Sequence, residues 1–204
     1  TTSFFREAHQ YRWLDETGLD MLAETARRPL RVWSAAASIG AELWSAAMLL
    51  AERAGRGRGR GPTRWELLGT DVSARVLARA KRAVYTEEET AGLSPERRTR
   101  HLMRARRLTD ASGRPLWRVV PELRAQARFA QANLQDLGDL PDFAADVAFL
   151  RNVLIYFAPE AQARVVDGVA RRLRPGGILF TGHAEAIGQH PALEPLRPSI
   201  YRKV

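Results

Sequence analysis

"VAFLRNVLIYFAPE", residues 147–160, begins as a strand buried on both faces and then sets Arg151 and Asn152 side by side, ahead of a second apolar run that carries Tyr156. A guanidinium and an amide are costly to bury without partners. Their place directly after the apolar run is the carboxyl end of a strand. In a parallel sheet that end opens onto a ligand crevice, so the flanking sequence must show whether strands and helices alternate.

They do. LRVWSAA (residues 30–36) reads as a strand, AELWSAAMLLAER (41–53) as a helix, GRGRGRGPT (55–63) as a loop and WELLGTD (65–71) as a second strand. Residues 73–83 form a helix pattern with Asp71 or Ser73 available as its cap. SPERRTRHLM begins another, Ser94 capping it and Pro95 standing where a missing N–H costs nothing. DASGRP (110–115) is a turn, and the chain around it, residues 104–124, is expected to fold as an inserted antiparallel hairpin. ARFAQANL and ADVAFLRN then read as strands. Residues 159–173 follow as a helix, with Val165, Val166, Val169 and Leu173 on one face and Pro175-Gly176-Gly177 as its stop. GILFTGH and SIYRKV close the series as strands, Pro198 assigning the last to an edge. The expected fold is α/β: a doubly wound, Rossmann-like, mostly parallel sheet with an antiparallel edge strand and helices on both faces.

The strand ends collect polar groups. The first leads to Ser38, Gly40 and Glu42, the second to Asp71, the next to Asn133 and Asp136, and the fourth to Arg151 and Asn152. An acid that ends the second strand suits ribose hydroxyls. The three-glycine dinucleotide fingerprint is missing, which disfavours a pyrophosphate. A nucleoside cofactor without one, S-adenosylmethionine, fits this pattern alongside other ligands of doubly wound folds.

Composition narrows the classes. With 204 residues and 45% hydrophobic content, one substantial core is expected. The absence of cysteine excludes disulfides and thiolate metal sites, the four histidines are scattered without ligand spacing, and no metal is expected. The most apolar segment, residues 35–51, is interrupted by Glu42 and too short to span a bilayer, so a soluble protein is expected; the lack of cysteine is compatible with a reducing compartment, and the cytoplasm is the expected one. The net charge of +9 is concentrated: residues 97–128 carry +8 and residues 53–64 carry +5, leaving −4 for the rest. Two arginine patches of this kind suit an acidic partner surface, a solvated arginine face or nucleic acid; aromatic-flanked motifs for base methylation are missing, and nucleic acid ranks last.

TTSFFREAHQY, RVWSAAASIGAELWSAAMLLAE, LLGTDVSARVLARAKRAVY, ANL, FLRNVLIYF and LRPGGILFTGHAE, in that order through almost the whole chain, resemble the catalytic region of the CheR family of chemotaxis receptor glutamate methyltransferases. The family's helical N-terminal domain and the Asn expected before Thr1 are not in this sequence, which is either trimmed or a short divergent member. The resemblance implies one catalytic domain over residues 1–204, the hairpin at 104–124 being the family's small β subdomain. It implies S-adenosylmethionine as cofactor, S-adenosylhomocysteine as product, glutamates on chemoreceptor cytoplasmic helices as substrate, and a monomer. Thr2 and Arg6 would reach the cofactor, with Arg6 also lining the active site. Glu42 would meet the methionine end, Asp71 the ribose, Asn133 and Leu134 the adenine. Arg151 and Asn152 would close the pocket beside the sulfonium, and Tyr156 would be the active-site tyrosine.

No histidine or catalytic triad is needed for such chemistry, because a glutamate is already ionised near neutral pH. Each residue also has an ordinary explanation: Asp71 as a helix cap, Glu42 as a first-turn acid, Tyr156 as a core aromatic. The family's usual run, close to GCSTGEEPYS, departs here to AAASIGAELWS, with Ile39 for Thr, Ala41 for the first Glu and Leu43-Trp44 for Pro-Tyr. That departure motivates the alternative of a weakened, cofactor-binding regulatory module.

Overall fold

The computed structural model describes residues 2–23, 29–56 and 64–204. A helical run opens the chain, α1 (Ala8–Trp13) and α2 (Leu19–Ala23) joined by a π turn over Leu14–Gly18. Then follow β1 (Leu30–Ser34), α3 (Ala41–Arg56), β2 (Trp65–Asp71), α4 (Ala74–Arg82), the short β3 (Val84–Tyr85), α5 (Pro95–His101), β4 (Leu102–Thr109), β5 (Pro115–Val119), α6 (Pro121–Arg124) and β6 (Ala127–Gln131). The last elements are β7 (Ala145–Leu150), a 3₁₀ turn (Leu154–Tyr156), α7 (Pro159–Arg172), β8 (Leu173–Thr181), β9 (Leu193–Arg197) and β10 (Ile200–Lys203).

Seven strands form one sheet in the order β6-β2-β1-β7-β8-β10-β9. The first five are mutually parallel; β10 runs antiparallel to β8, and β9 antiparallel to β10. The chain builds outward from β1 to β2 and β6, then returns to lay β7 on the other side of β1. That reversal puts the topological switch between β1 and β7, so the crevice opens where those two strands end.

Strand alternation divides the core into two layers. On β7, Val147 and Phe149 join Val32, Leu67, Ile178 and Phe180 under α3, while Ala148 and Leu150 join Trp33, Leu68 and Leu179 under α7. All six residues of β7 are buried, as a central parallel strand requires. Trp44, Met48, Leu49 and Leu50 drive α3 onto the first layer, and Val165, Val166 and Val169 drive α7 onto the second.

The N-terminal segment is pinned to the first layer. Phe4 meets Tyr85 edge-on with centroids 4.9 Å apart, and Phe5 meets Tyr11 at 5.1 Å. The Phe5 amide donates to Ser45 Oγ at 2.9 Å. Thr2, Ser3 and Arg6 are thereby set over the ends of the strands.

Four expectations are corrected in detail. The antiparallel insertion has three strands in the order β3-β5-β4, because β5 pairs back to Val84–Tyr85 as well as to β4; two residues give no sequence pattern. Pro175-Gly176-Gly177 does not separate α7 from the next strand. β8 already starts at Leu173, and its register against β7 shifts between Ala145 and Val147. A Cβ at Gly177 would lie 2.9–3.2 Å from the carbonyls of Arg174, Ala145 and Asp146, so glycine lets the strand pass through that irregularity. β10 is interior to the antiparallel end, since β9 covers it; Pro198 falls in the turn between them, where no ladder hydrogen bond is needed. Finally, α3 runs three residues past Arg53 to Arg56, where arginines favour a helix C-terminus; residues 57–63, most of the glycine-arginine loop, lie outside the described residues.

Candidate active site

A cleft of about 390 Å³ lies over the carboxyl ends of β1, β2 and β7. Thr2, Arg6, Glu42, Asp71, Arg151, Asn152 and Tyr156 all line it, together with Tyr11 and Ser38. A second hollow of about 310 Å³ adjoins it and is lined by Asn133, Leu134, Val72, Val153 and Phe157. Ala36, Asp71 and Val153 border both. Every residue expected at the site thus falls on one continuous surface, polar at one end and mostly apolar at the other, with Asp71 at the junction.

Arg151 is the buried charge of the polar end. Its side chain is only 1% exposed, with Nε 3.4 Å from Glu42 and 3.9 Å from Glu7. Nη2 donates to the Arg6 carbonyl, and the guanidinium carbon lies 5.5 Å from the Tyr11 ring centroid. Burial works against the charge, yet Glu42, Tyr11 and Glu7 together raise the Arg151 pKa above its ordinary value. For Glu42 burial wins: despite Arg151 and a 2.6 Å hydrogen bond from Ser34 Oγ, its carboxyl is pushed above the ordinary range. Among the described residues, Arg151 Nη1 is buried with no hydrogen-bond partner. The guanidinium at the end of β7 is therefore paired from beneath and retains a donor group.

Asp71 is held by the loops on either side of it. Oδ2 accepts from the Ser38 amide at 2.9 Å and Oδ1 from the Ser73 amide at 3.0 Å. Ser73 itself caps α4 through Val76 N, so the Asp71 carboxylate is not that helix's side-chain cap. The departed run AAASIGAELWS still makes a closed turn into α3. Gly40 has φ +89° and its amide donates to Ala37 O at 2.8 Å; a Cβ there would lie 2.9 Å from both Ala80 Cβ and Trp44 Nε1. Only glycine fits this turn. Glu42, one residue into the helix, remains on the cleft wall.

Phe5, Glu7, Ser38 and Asn152 have φ between 49° and 58°, a left-handed backbone uncommon outside glycine and here gathered around one cleft. Tyr156 is 80% exposed and Ile155 60%, both on the rim; Tyr156 is not a core aromatic.

Three acting groups escaped the sequence reading. Tyr11 lies on the cleft wall, its hydroxyl donating to the Glu42 carbonyl at 3.2 Å. Glu7 accepts from His183 N at 3.2 Å and faces Arg151. Glu185, 5% exposed, accepts from the amides of Asn152 at 2.6 Å and Leu154 at 2.8 Å. Glu7 and Glu185 are the acids closing FFRE and GHAE; acids fixed in two such short runs were the available signal.

The family model for the CheR methyltransferase SAM-binding domain matches residues 1–200. The chain belongs to the CheR methyltransferase family. The chemotaxis protein methyltransferase of Escherichia coli K12 is 37% identical over 187 residues, covering 90% of this chain and 60% of that protein. Chemotaxis protein methyltransferase 1 of Pseudomonas aeruginosa is 34% identical, covering 93% of this chain and 67% of that protein. The chain thus spans about three fifths of the length of the Escherichia coli relative. Among solved structures, an O-methyltransferase family protein from Burkholderia thailandensis aligns over 86% of this chain and 37% of that chain at 18% identity and a TM-score of 0.48.

The cofactor of this CheR domain, S-adenosylmethionine, fits the residues present. Arg151 Nη1, which has no hydrogen-bond partner among the described residues, offers a buried donor to a carboxylate, and Glu42 offers negative charge to an ammonium. Asp71 stands at the junction, and the apolar hollow of Val72, Leu134 and Phe157 suits a purine face. Both spaces fall at the lower end of volumes that hold small ligands, about 300–1,000 Å³.

Proposed function

We propose that this domain methylates glutamate side chains on the cytoplasmic helices of a chemoreceptor, giving glutamyl methyl esters and S-adenosylhomocysteine. Residues 1–204 act as one catalytic domain, a cytoplasmic monomer that takes no nucleic acid, with the three-stranded antiparallel sheet of β3, β5 and β4 as an insertion. The observation that carries the reading is the joined cleft, with Asp71 at its junction and the Glu42–Arg151 pair beneath its polar end.

When bound, S-adenosylmethionine supplies a sulfonium-activated methyl group. Asp71 holds the ribose, Asn133 and Leu134 flank the adenine, Thr2 reaches the cofactor, and Glu42 with Arg151 holds its amino-acid end. Asn152 closes the space beside them. Arg6 and Tyr156 line the outer part of the same cleft, where a carboxylate entering from solvent meets paired N–H donors and a phenol. The acceptor carboxylate needs no deprotonation near neutral pH. The protein's task is therefore to align and to exclude water, and orientation supplies most of the rate.

The test combines binding with turnover. Calorimetry should show S-adenosylhomocysteine binding to this chain. Incubation with methyl-labelled S-adenosylmethionine and a receptor cytoplasmic fragment should then give base-labile label on glutamates. Binding without labelled ester, in a fragment that a full-length relative does methylate, would overturn the catalytic reading and leave a cofactor-binding module.

A further inference from the structure

Glu185 lies outside the cleft wall, yet four backbone amides converge on its carboxylate. Oε2 accepts from Asn152 N at 2.6 Å and Gly182 N at 2.8 Å. Oε1 accepts from Leu154 N at 2.8 Å and Ile155 N at 3.4 Å. The donors belong to the segments that leave β7 and β8, so one side chain ties the two strand ends together. Its own backbone is fixed as well: Glu185 N donates to Gly182 O at 2.9 Å, and Thr181 Oγ1 donates to Glu185 O at 3.0 Å.

The segment it grips delivers the site. Asn152 has φ +56°, a conformation that asparagine tolerates but that needs support. The amides of Leu154 and Ile155 open the 3₁₀ turn that carries Tyr156 to the rim, and a helical turn's first amides have no partner within the turn. The turn's N-cap residue, Val153, has no polar side chain to cap it. The packing leaves no slack. A Cβ on Gly182 would lie 2.5 Å from Glu185 Oε2, 2.8 Å from Asn152 Nδ2 and 3.0 Å from Asn152 N.

We propose that Glu185 is a positioning residue of the cleft: by holding the amides of Asn152, Leu154, Ile155 and Gly182 on one carboxylate, it aims Asn152 and Tyr156 at the ligand. It touches neither cofactor nor substrate and acts through the backbone of residues 152–155. Glu185→Gln keeps the shape but turns one acceptor oxygen into a donor. Whichever way the amide is placed, an N–H then faces N–H groups, and the turn must move.

The inference rests on the cleft being the cofactor site, and the unmodified chain tests that first: failure to bind S-adenosylhomocysteine would remove both. Given binding, Glu185→Gln should weaken S-adenosylhomocysteine affinity at least tenfold, measured by calorimetry at a temperature where circular dichroism shows the variant folded. Glu185→Asp, which keeps the charge but withdraws it by one methylene, should fall between the two and serves if the Gln variant does not fold. Paired with Asn152→Ala, the double variant should bind within twofold of the weaker single, because both changes act on one element. Affinity within twofold of the unmodified chain in a Glu185 variant that melts at lower temperature would show a purely structural role and overturn the proposal. So would losses that multiply in the double variant.

Discussion

Arg151 Nε lies 3.4 Å from Glu42 Oε2 beneath the cleft, with the arginine side chain 1% exposed and the glutamate 13%. Such a pair stands only if both partners stay, because a buried charge left alone is far costlier than the pair. Arg151→Leu leaves Glu42 and Glu7 facing each other without the cation. We expect a loss of about 3–5 kcal/mol, or roughly 10 °C in melting temperature for a chain of this size. Burial raises the Glu42 pKa in the folded state. Its favourable contribution is therefore complete below the ordinary carboxylate range and is lost as pH rises through the folded value. Without Arg151 that loss deepens, so the variant's melting deficit should be larger at pH 8 than at pH 5. Thermal scans at the two pH values check this, and an equal deficit at both would contradict it.

Glu52 gives the opposite sign. It sits on α3 with Arg97 Nε at 2.9 Å and His101 Nε2 at 3.1 Å, and Arg97 stacks over the Phe5 ring at 3.9 Å. Burial would raise its carboxyl, but the hydrogen bonds from His101 and Arg97 outweigh it and hold the pKa at about 2. The stability this supplies is present above the ordinary carboxylate value and is lost as pH falls toward 2. Solvent screens this partly open pair, so the contribution is about 1–2 kcal/mol at neutral pH. Glu52→Gln should therefore melt several degrees below the unmodified chain at pH 7, and the difference should shrink at pH 3. A constant difference would show that the contribution of Glu52 is not electrostatic.

Sequence showed the parts of this design that depend on periodicity. β7 is apolar from Val147 through Leu150 and turns polar at Arg151; a parallel strand must end that way if it opens onto a crevice. Partnerships over long separations left no such trace. Glu185 binds amides 30 or more positions upstream, and a backbone donor is the same whatever residue carries it. Glu7 meets Arg151 across 144 positions for the same reason. β9 was hidden because its run LEPLR contains Pro195 and is half exposed, as an outer strand can be. The apolar neighbours Val153 to Phe157 leave a core position open for Tyr156 beside the active-site one; Ile155 and Tyr156 are the two that face solvent.

Asp71 anchors the middle of the cleft and should matter more for ligand than for fold. Removing a charged acceptor for hydroxyl groups costs about 1.5–3 kcal/mol, so Asp71→Ala should weaken S-adenosylhomocysteine binding by about 10- to 100-fold. The same change deprives the Ser38 and Ser73 amides of their acceptor. Asp71→Asn retains an acceptor oxygen and should recover most of the melting temperature without recovering the affinity. Calorimetry and thermal scans on both variants decide it; parallel losses in the two measurements would make Asp71 a fold residue only.

Tyr156 separates catalysis from binding most cleanly. It is 80% exposed on the cleft rim, and its amide donates to Val153 O at 3.1 Å, so its place depends on the turn and not on its ring. Exposed substitutions away from packing change stability by no more than about 0.5 kcal/mol, and Tyr156→Phe should melt within about 2 °C of the unmodified chain. S-adenosylhomocysteine affinity should also hold within twofold. If the phenol orients the entering carboxylate, loss of its one hydrogen bond should slow methyl-ester formation by about tenfold at saturating cofactor, a step of about 1.4 kcal/mol in the barrier. The acceptor carboxylate needs no base, so the rate should show no descending limb tied to a histidine between pH 6 and 8 in either protein. An unchanged rate in the Phe variant would assign Tyr156 to the rim surface and leave Arg6 as the residue that meets the substrate.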